Sequence, residues 1–182
     1  MTSVTFLIDY FEIFIYNIIM VILGIDPGYA IVGYGVIEKE GYSTRCIDYG
    51  AITTDKNVDF PSRLVQIADG LEYLIDKYKP ECLAIEELFF QNNQKTAINV
   101  AMARGVVVQI AKKRLGKLYE YTPLQIKQAL TGQGRAEKAQ VQYMVKAILN
   151  LKDIPKPDDA ADALAVAICH SQTNQTLGNF RY

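Results

Sequence analysis

The chain alternates short apolar runs with glycine turns, then changes to longer segments of helical period. Residues 21–26, 33–39 and 44–54 are rich in β-branched and aromatic side chains, with Gly-containing turns between them. That pattern predicts three successive strands forming two hairpins. Residues 59–78 place Leu64, Ile67, Leu71, Leu74 and Ile75 at helical spacing. Asp59 is the expected N-cap, Pro61 lies near the first turn, and Lys79-Pro80 ends the helix. Residues 82–90 (CLAIEELFF) read as another strand, followed by the polar loop QNNQKT. Residues 96–115 are rich in Ala and Val and predict a largely buried helix stopped by Gly116. A short strand (117–123), a small helix (124–130) and a basic loop (TGQGRA) follow. A helix (136–150), a proline-punctuated linker (152–157) and a last helix (158–171) complete the pattern. Strands first, then alternating helices and strands, predict a mixed α/β sheet with helices on both faces.

Residues 1–19 break this pattern. They are apolar and aromatic but carry Asp9, Glu12 and Asn17, with neither the basic start nor the small-residue cleavage site of a secretory signal. A membrane span needs about 20 apolar residues with few charges. The expectation is an upstream extension, with Met20 as the biological start and residues 20–182 as a single domain.

Composition narrows the class. Half of the 182 residues are apolar, which suits a globular domain with a substantial core. Cys46, Cys82 and Cys169 are far apart and form no C-x-x-C pair, which points to a reducing, cytoplasmic setting. The lone His170 is expected to be a helix-end residue. The formal charge of −1 hides an asymmetry. Residues 95–138 hold nine basic side chains, among them Arg104, Lys127, Arg135 and Lys138, against Glu120 and Glu137 alone. Such an excess suits a polyanion-binding face. Neither a G-x-x-x-x-G-K-[ST] phosphate loop nor a G-x-G-x-x-G dinucleotide turn is present.

Four acids stand out by position. Asp26 ends the first strand, just before Pro27-Gly28. Glu86 lies in the fourth strand beside Glu87; strand alternation puts the two on opposite faces and leaves the choice between them open. Asp159 and Asp162 share one face of the first turns of the last helix, near its positive end. Four converging carboxylates repel unless a cation joins them. Oxygen ligands with no His or Cys cluster suit Mg²⁺ or Mn²⁺, and two such ions can clamp a phosphodiester.

The ordered segments GIDPGYAIVGYGVI, FPSRLVQI, AIEELFFQNN, ARGVVV, IKQALTGQGRAEKAQVQYMV and DDAADALAVAICH resemble the RuvC family of crossover junction endodeoxyribonucleases. The resemblance runs from Met20 to about His170. It implies a ribonuclease H-like fold with a five-stranded sheet, a homodimer, and a four-way DNA junction as substrate. It also implies two Mg²⁺ per site, with Mn²⁺ as a substitute, and cooperation with the branch-migration proteins RuvA and RuvB. The family's catalytic acids fall on Asp26, Glu86, Asp159 and Asp162, which selects Glu86 over Glu87. Its functional lysines fall on Lys127 and Lys138, and its junction-facing aromatic on Phe89; Arg104 and Arg135 are further DNA-binding expectations. Helix 96–115 is the expected dimer contact. An actin-like ATPase would need a second, duplicated domain. A non-catalytic junction-binding module would be expected to have lost an acid. A hybrid-cleaving ribonuclease would lack the IKQALTGQGRAEKAQV segment.

Overall fold

In the computed structural model, residues 19–88 and 94–173 are described. The elements are β1 (Ile19–Asp26), β2 (Ile31–Glu40), β3 (Ser43–Thr53), α1 (Phe60–Tyr78), β4 (Cys82–Glu86), α2 (Gln94–Leu115), β5 (Leu118–Tyr121), α3 (Pro123–Thr131), α4 (Lys138–Ile148) and α5 (Asp158–Gln172). The five strands form one sheet in the order β3-β2-β1-β4-β5. β1, β2 and β3 are antiparallel neighbours, whereas β4 and β5 run parallel to β1. The expected mixed sheet with helices on both faces is therefore what the chain forms. The strand opening the sheet begins at Ile19, two residues before the predicted start at Val21.

Each β1 side chain follows the strand alternation. Leu23 and Ile25 are fully buried against the α1 and α2 side, together with Leu83 and Ile85 of β4. Ile22, Cys82 and Ala84 point the other way, into the core shared with α3, α4 and α5. Asp26 has the parity of Ile22, and Glu86 that of Ala84. Both acids therefore end their strands on the α5 side.

α5 lies close against the sheet because the sheet is flattened beneath it by glycine. Gly24 pairs with Gly35, and Asp26 pairs with Gly33. A Cβ on Gly24 would fall on the carbonyl oxygen of Ala163, and one on Gly33 on the carbonyl oxygen of Asp159. The facing helix is itself small-sided, with Ala160, Ala161, Ala163, Ala165 and Ala167 buried.

β4 is shorter than predicted. It stops at Glu86, opposite Tyr121 at the end of β5. The neighbouring strand is only four residues long and ends at Tyr121, so the ladder does not carry β4 on through Glu87 and Leu88, whatever their β-propensity. Phe89 lies outside the described residues. α1 begins as expected, with Asp59 Oδ1 accepting from the Ser62 backbone N–H (2.7 Å).

His170 sits in the last turn of α5 but is buried, 3 % exposed. Its Nδ1 lies 2.7 Å from the Tyr121 hydroxyl and its Nε2 3.3 Å from Cys82 Sγ, with its ring 4.2 Å from that of Tyr119. Burial, with a smaller contribution from Lys39, holds its pKa down at about 4. A histidine lowered on folding stabilises fully above its unfolded pKa of about 6.5 and loses that contribution as pH falls toward 4. Between pH 7.5 and 5 this contribution falls by about 2 kcal/mol. Urea unfolding at the two pH values should show that drop in the wild type, and a shallower one in His170→Phe. Equal drops would exclude His170 as the source.

Candidate active site

The four acids reach one edge of the sheet from three elements. β1 and β4 run in the same direction and deliver Asp26 and Glu86 from their C-terminal ends. α5 begins at that same edge and brings Asp158 and Asp159 in its first turn, with Asp162 one turn on. The contact of Asp159 with the backbone at Gly33, the pairing partner of Asp26, fixes how close the helix comes.

Their electrostatics show the convergence. Burial first, then the charges of Glu86, Asp162 and Asp159, pushes the Asp26 carboxyl up to about 7, and Lys138 works against them. Burial, then Asp162, pushes Glu86 up to about 6, opposed by Lys127 and Lys138. A cavity of about 240 Å³ is lined by Glu86, Asp162, Lys127 and Lys138, with Pro123 and Ile126 of α3 among its walls.

Lys138 is the countercharge the structure itself supplies. From the start of α4, its Nζ donates to Asp162 Oδ2 (2.9 Å) and lies 3.6 Å from Asp158 Oδ2. The hydrogen bond to Asp162 is the main reason its own pKa is raised. Lys156 takes the other oxygen of Asp158 (2.6 Å), so Asp158 is held between two lysines, one of which it shares with Asp162. The sequence pattern gave no sign of the Lys138–Asp158 contact, since 20 residues separate the two.

The donor set fits a hard divalent cation. It is all carboxylate oxygen, and two of its members, Asp26 and Glu86, carry pKa values raised first by burial and then by the neighbouring carboxylates. Among the described residues no three acids, histidines or cysteines stand close enough to form a ready-made metal cage. The acids meet at one edge without closing around a point, and one of them is engaged by an ammonium.

The comparisons with known proteins identify the family. The family model of crossover junction endodeoxyribonuclease RuvC matches residues 22–170. This chain belongs to the RuvC family. The RuvC of Ruminiclostridium cellulolyticum is 56% identical over 166 residues, covering 90% of this chain and all of that protein. The RuvC of Halothermothrix orenii is 56% identical over 154 residues, covering 85% of this chain and 93% of that one. Among solved structures, Thermus thermophilus RuvC in complex with Holliday junction substrate superposes with a TM-score of 0.78 at 37% identity, covering 84% of this chain and 93% of that chain. The yeast mitochondrial Holliday junction resolvase Ydc2 shares the fold, with a TM-score of 0.60 at 16% identity over 82% of this chain and 78% of that one.

The basic excess of residues 95–138 divides within this RuvC fold. Lys127 and Lys138 reach the acid cavity, and Arg135 is exposed on the loop between α3 and α4. Arg104 instead forms an ion pair with Glu120 of β5, mostly out of solvent. α2 runs antiparallel to β4, so Lys112, Lys113, Arg114 and Lys117 gather at the sheet end remote from the acids. There Arg114 pairs with Asp76 (2.5 Å) and Glu72 (3.9 Å) of α1. The stretch is therefore not the single polyanion-binding face that its charge suggested.

Proposed function

We propose that this chain is a structure-specific endonuclease that resolves four-way DNA junctions, nicking two opposing strands during recombination and repair. The convergence of Asp26, Glu86, Asp159 and Asp162 at one sheet edge, beside two lysines and within a RuvC-family chain, carries the reading. Asp26, Glu86, Asp159 and Asp162 would hold Mg²⁺, two ions per site, with Mn²⁺ as a substitute. When bound, the metal supplies activation of water and charge stabilisation at the leaving oxygen. The four carboxylates sit on rigid element ends, which would fix where the bound cations, and so the scissile phosphate, could lie. Lys127 and Lys138 neutralise phosphate charge along the approaching strand. Water is the nucleophile. The test is a synthetic mobile junction incubated with Mg²⁺: paired symmetric nicks support the reading, and binding without cutting under any divalent metal would overturn it.

Lys127→Ala and Lys138→Ala should each weaken junction binding and lower the magnitude of the salt slope by about 1. Lys138→Ala should lose more cleavage, because it also leaves Asp162 without its ammonium partner. Filter binding across a salt series, together with single-turnover cleavage, checks both.

A homodimer through α2 is part of the same reading, as two symmetric nicks need two sites. Ile98 and Met102 of α2 are 62% and 49% exposed, and Val65 of α1 is 57% exposed. Met102→Glu should shift the sedimentation equilibrium toward monomer and abolish paired nicking. RuvA and RuvB are the proposed branch-migration partners and the cytoplasm the proposed location; among the described residues no helix is long and apolar enough to cross a membrane.

A further inference from the structure

The first turn of α1 carries a cation that the site described above does not use. β3 runs parallel to β1, so the loop after Thr53 and the start of α1 lie at the same sheet end as Asp26. There Arg63 Nε donates to Thr54 Oγ1 (2.8 Å), and the Thr54 hydroxyl donates to the Tyr29 carbonyl oxygen (2.9 Å). Thr54 is 5% exposed, and its backbone N–H donates to the Ala30 oxygen (3.0 Å). The Arg63 guanidinium lies 4.9 Å above the centre of the Tyr29 ring, which in turn stands 6.2 Å from the Phe60 ring. Tyr29 belongs to the turn that begins directly after Asp26.

One nitrogen of the guanidinium is thus spent on Thr54 and one face on Tyr29. Its charge is half-buried, yet among the described residues no carboxylate pairs with it. A half-buried cation without an acid partner is electrostatically incomplete. Locking Nε and the ring face leaves the two Nη groups of the planar guanidinium fixed and available, which is the preorganisation a phosphate contact requires. A purely structural clamp would use the same Nε and ring contacts but would gain nothing from the uncompensated charge.

We propose that Arg63, held by Thr54 and Tyr29, is a phosphate-binding site for a DNA strand passing the β1–β2 turn. It contacts the backbone on the side of the sheet edge opposite Lys127 and Lys138. The proposal rests on the DNA-junction reading for its ligand and extends the footprint beyond the lysines of α3 and α4.

The test is equilibrium binding of labelled four-way junction and plain duplex to the full chain in Ca²⁺ without Mg²⁺, over a KCl series. Arg63→Gln should weaken binding about five- to tenfold and lower the magnitude of the salt slope by about 0.9. Arg63→Lys, which keeps the charge, should restore most of that slope, and Thr54→Val should leave the slope unchanged. Thermal melting of each variant separates lost folding from lost contact. An unchanged slope in Arg63→Gln on both DNAs, or a melting loss with no slope change, overturns the proposal. If the wild type fails to prefer the junction but Arg63→Gln still lowers the slope on duplex, the junction reading falls and the phosphate site stands.

Discussion

Asp26→Asn is expected to stop cleavage and, in the same molecule, to stabilise the metal-free protein at alkaline pH. The two effects have one cause. Asp26 is the carboxylate on which the other three acids bear, and burial and their charges raise it from the ordinary 3.8 to about 7. For an acid raised on folding, the native state is favoured by this group below its unfolded pKa, and that advantage is lost as pH rises through 7. At pH 8 in EDTA the ionised Asp26 therefore works against folding by on the order of 2–4 kcal/mol. Asparagine keeps the shape and removes the charge. Urea unfolding in EDTA should show Asp26→Asn more stable than wild type at pH 8, with the gap narrowing toward pH 5. Cleavage should fall on the order of 10³-fold or more, since several kcal/mol of charge stabilisation depend on that carboxylate. Junction binding should survive, because the phosphate contacts are assigned to lysines and an arginine. A variant that loses activity but gains no stability at pH 8 would mean that Asp26 is not strained by its neighbours.

Much of this was legible from sequence patterns. The period of Leu64, Ile67, Leu71 and Leu74, with Asp59 before it and Lys79-Pro80 after it, gives α1 almost to the residue, because cap and stop chemistry are local. Asp26 and Asp159 were recognisable because each sits where an element ends or starts, and Asp162 because it follows Asp159 at helical spacing. The strand pattern could not choose between Glu86 and Glu87. That choice depends on which face of the sheet α5 covers, and this follows from Gly24 and Gly33, whose role is to be absent side chains. The end of β4 was missed because strand length depends on the partner strand, here only Leu118–Tyr121. The charge excess misled for a related reason. Residues 95–138 are contiguous in sequence, but α2 carries part of their charge to the remote sheet end, where Arg114 is paired to α1. Conversely, Arg63 lies outside every basic run, and its setting emerges only when β3 and α1 bring Thr54 and Tyr29 to it.

Gly33→Ala is the substitution expected to damage both fold and site through a single methyl group. Gly33 has ordinary strand backbone and pairs with Asp26, so the requirement there is for space and not for an unusual dihedral. An added Cβ would fall on the Asp159 carbonyl oxygen and within 3.0 Å of the Asp159 Cβ. Neither partner is a flexible side-chain tip. β2 is fixed between β1 and β3, and α5 is fixed by a core that includes Leu164, Val166 and Ile168, all fully buried. Relief must come from lifting the N-terminal turns of α5, which carry Asp159 and Asp162. Overpacking of this kind costs about 1–3 kcal/mol, and backbone-on-backbone contact puts Gly33→Ala at the upper end. A displacement of about 1 Å at a catalytic group costs about 10²-fold in rate. The urea midpoint should fall accordingly, and single-turnover cleavage should drop about 100-fold while junction binding changes little. Full cleavage with an unchanged midpoint would mean that α5 does not seat on Gly33, and the placement of Asp159 and Asp162 beside Asp26 would have to be abandoned with it.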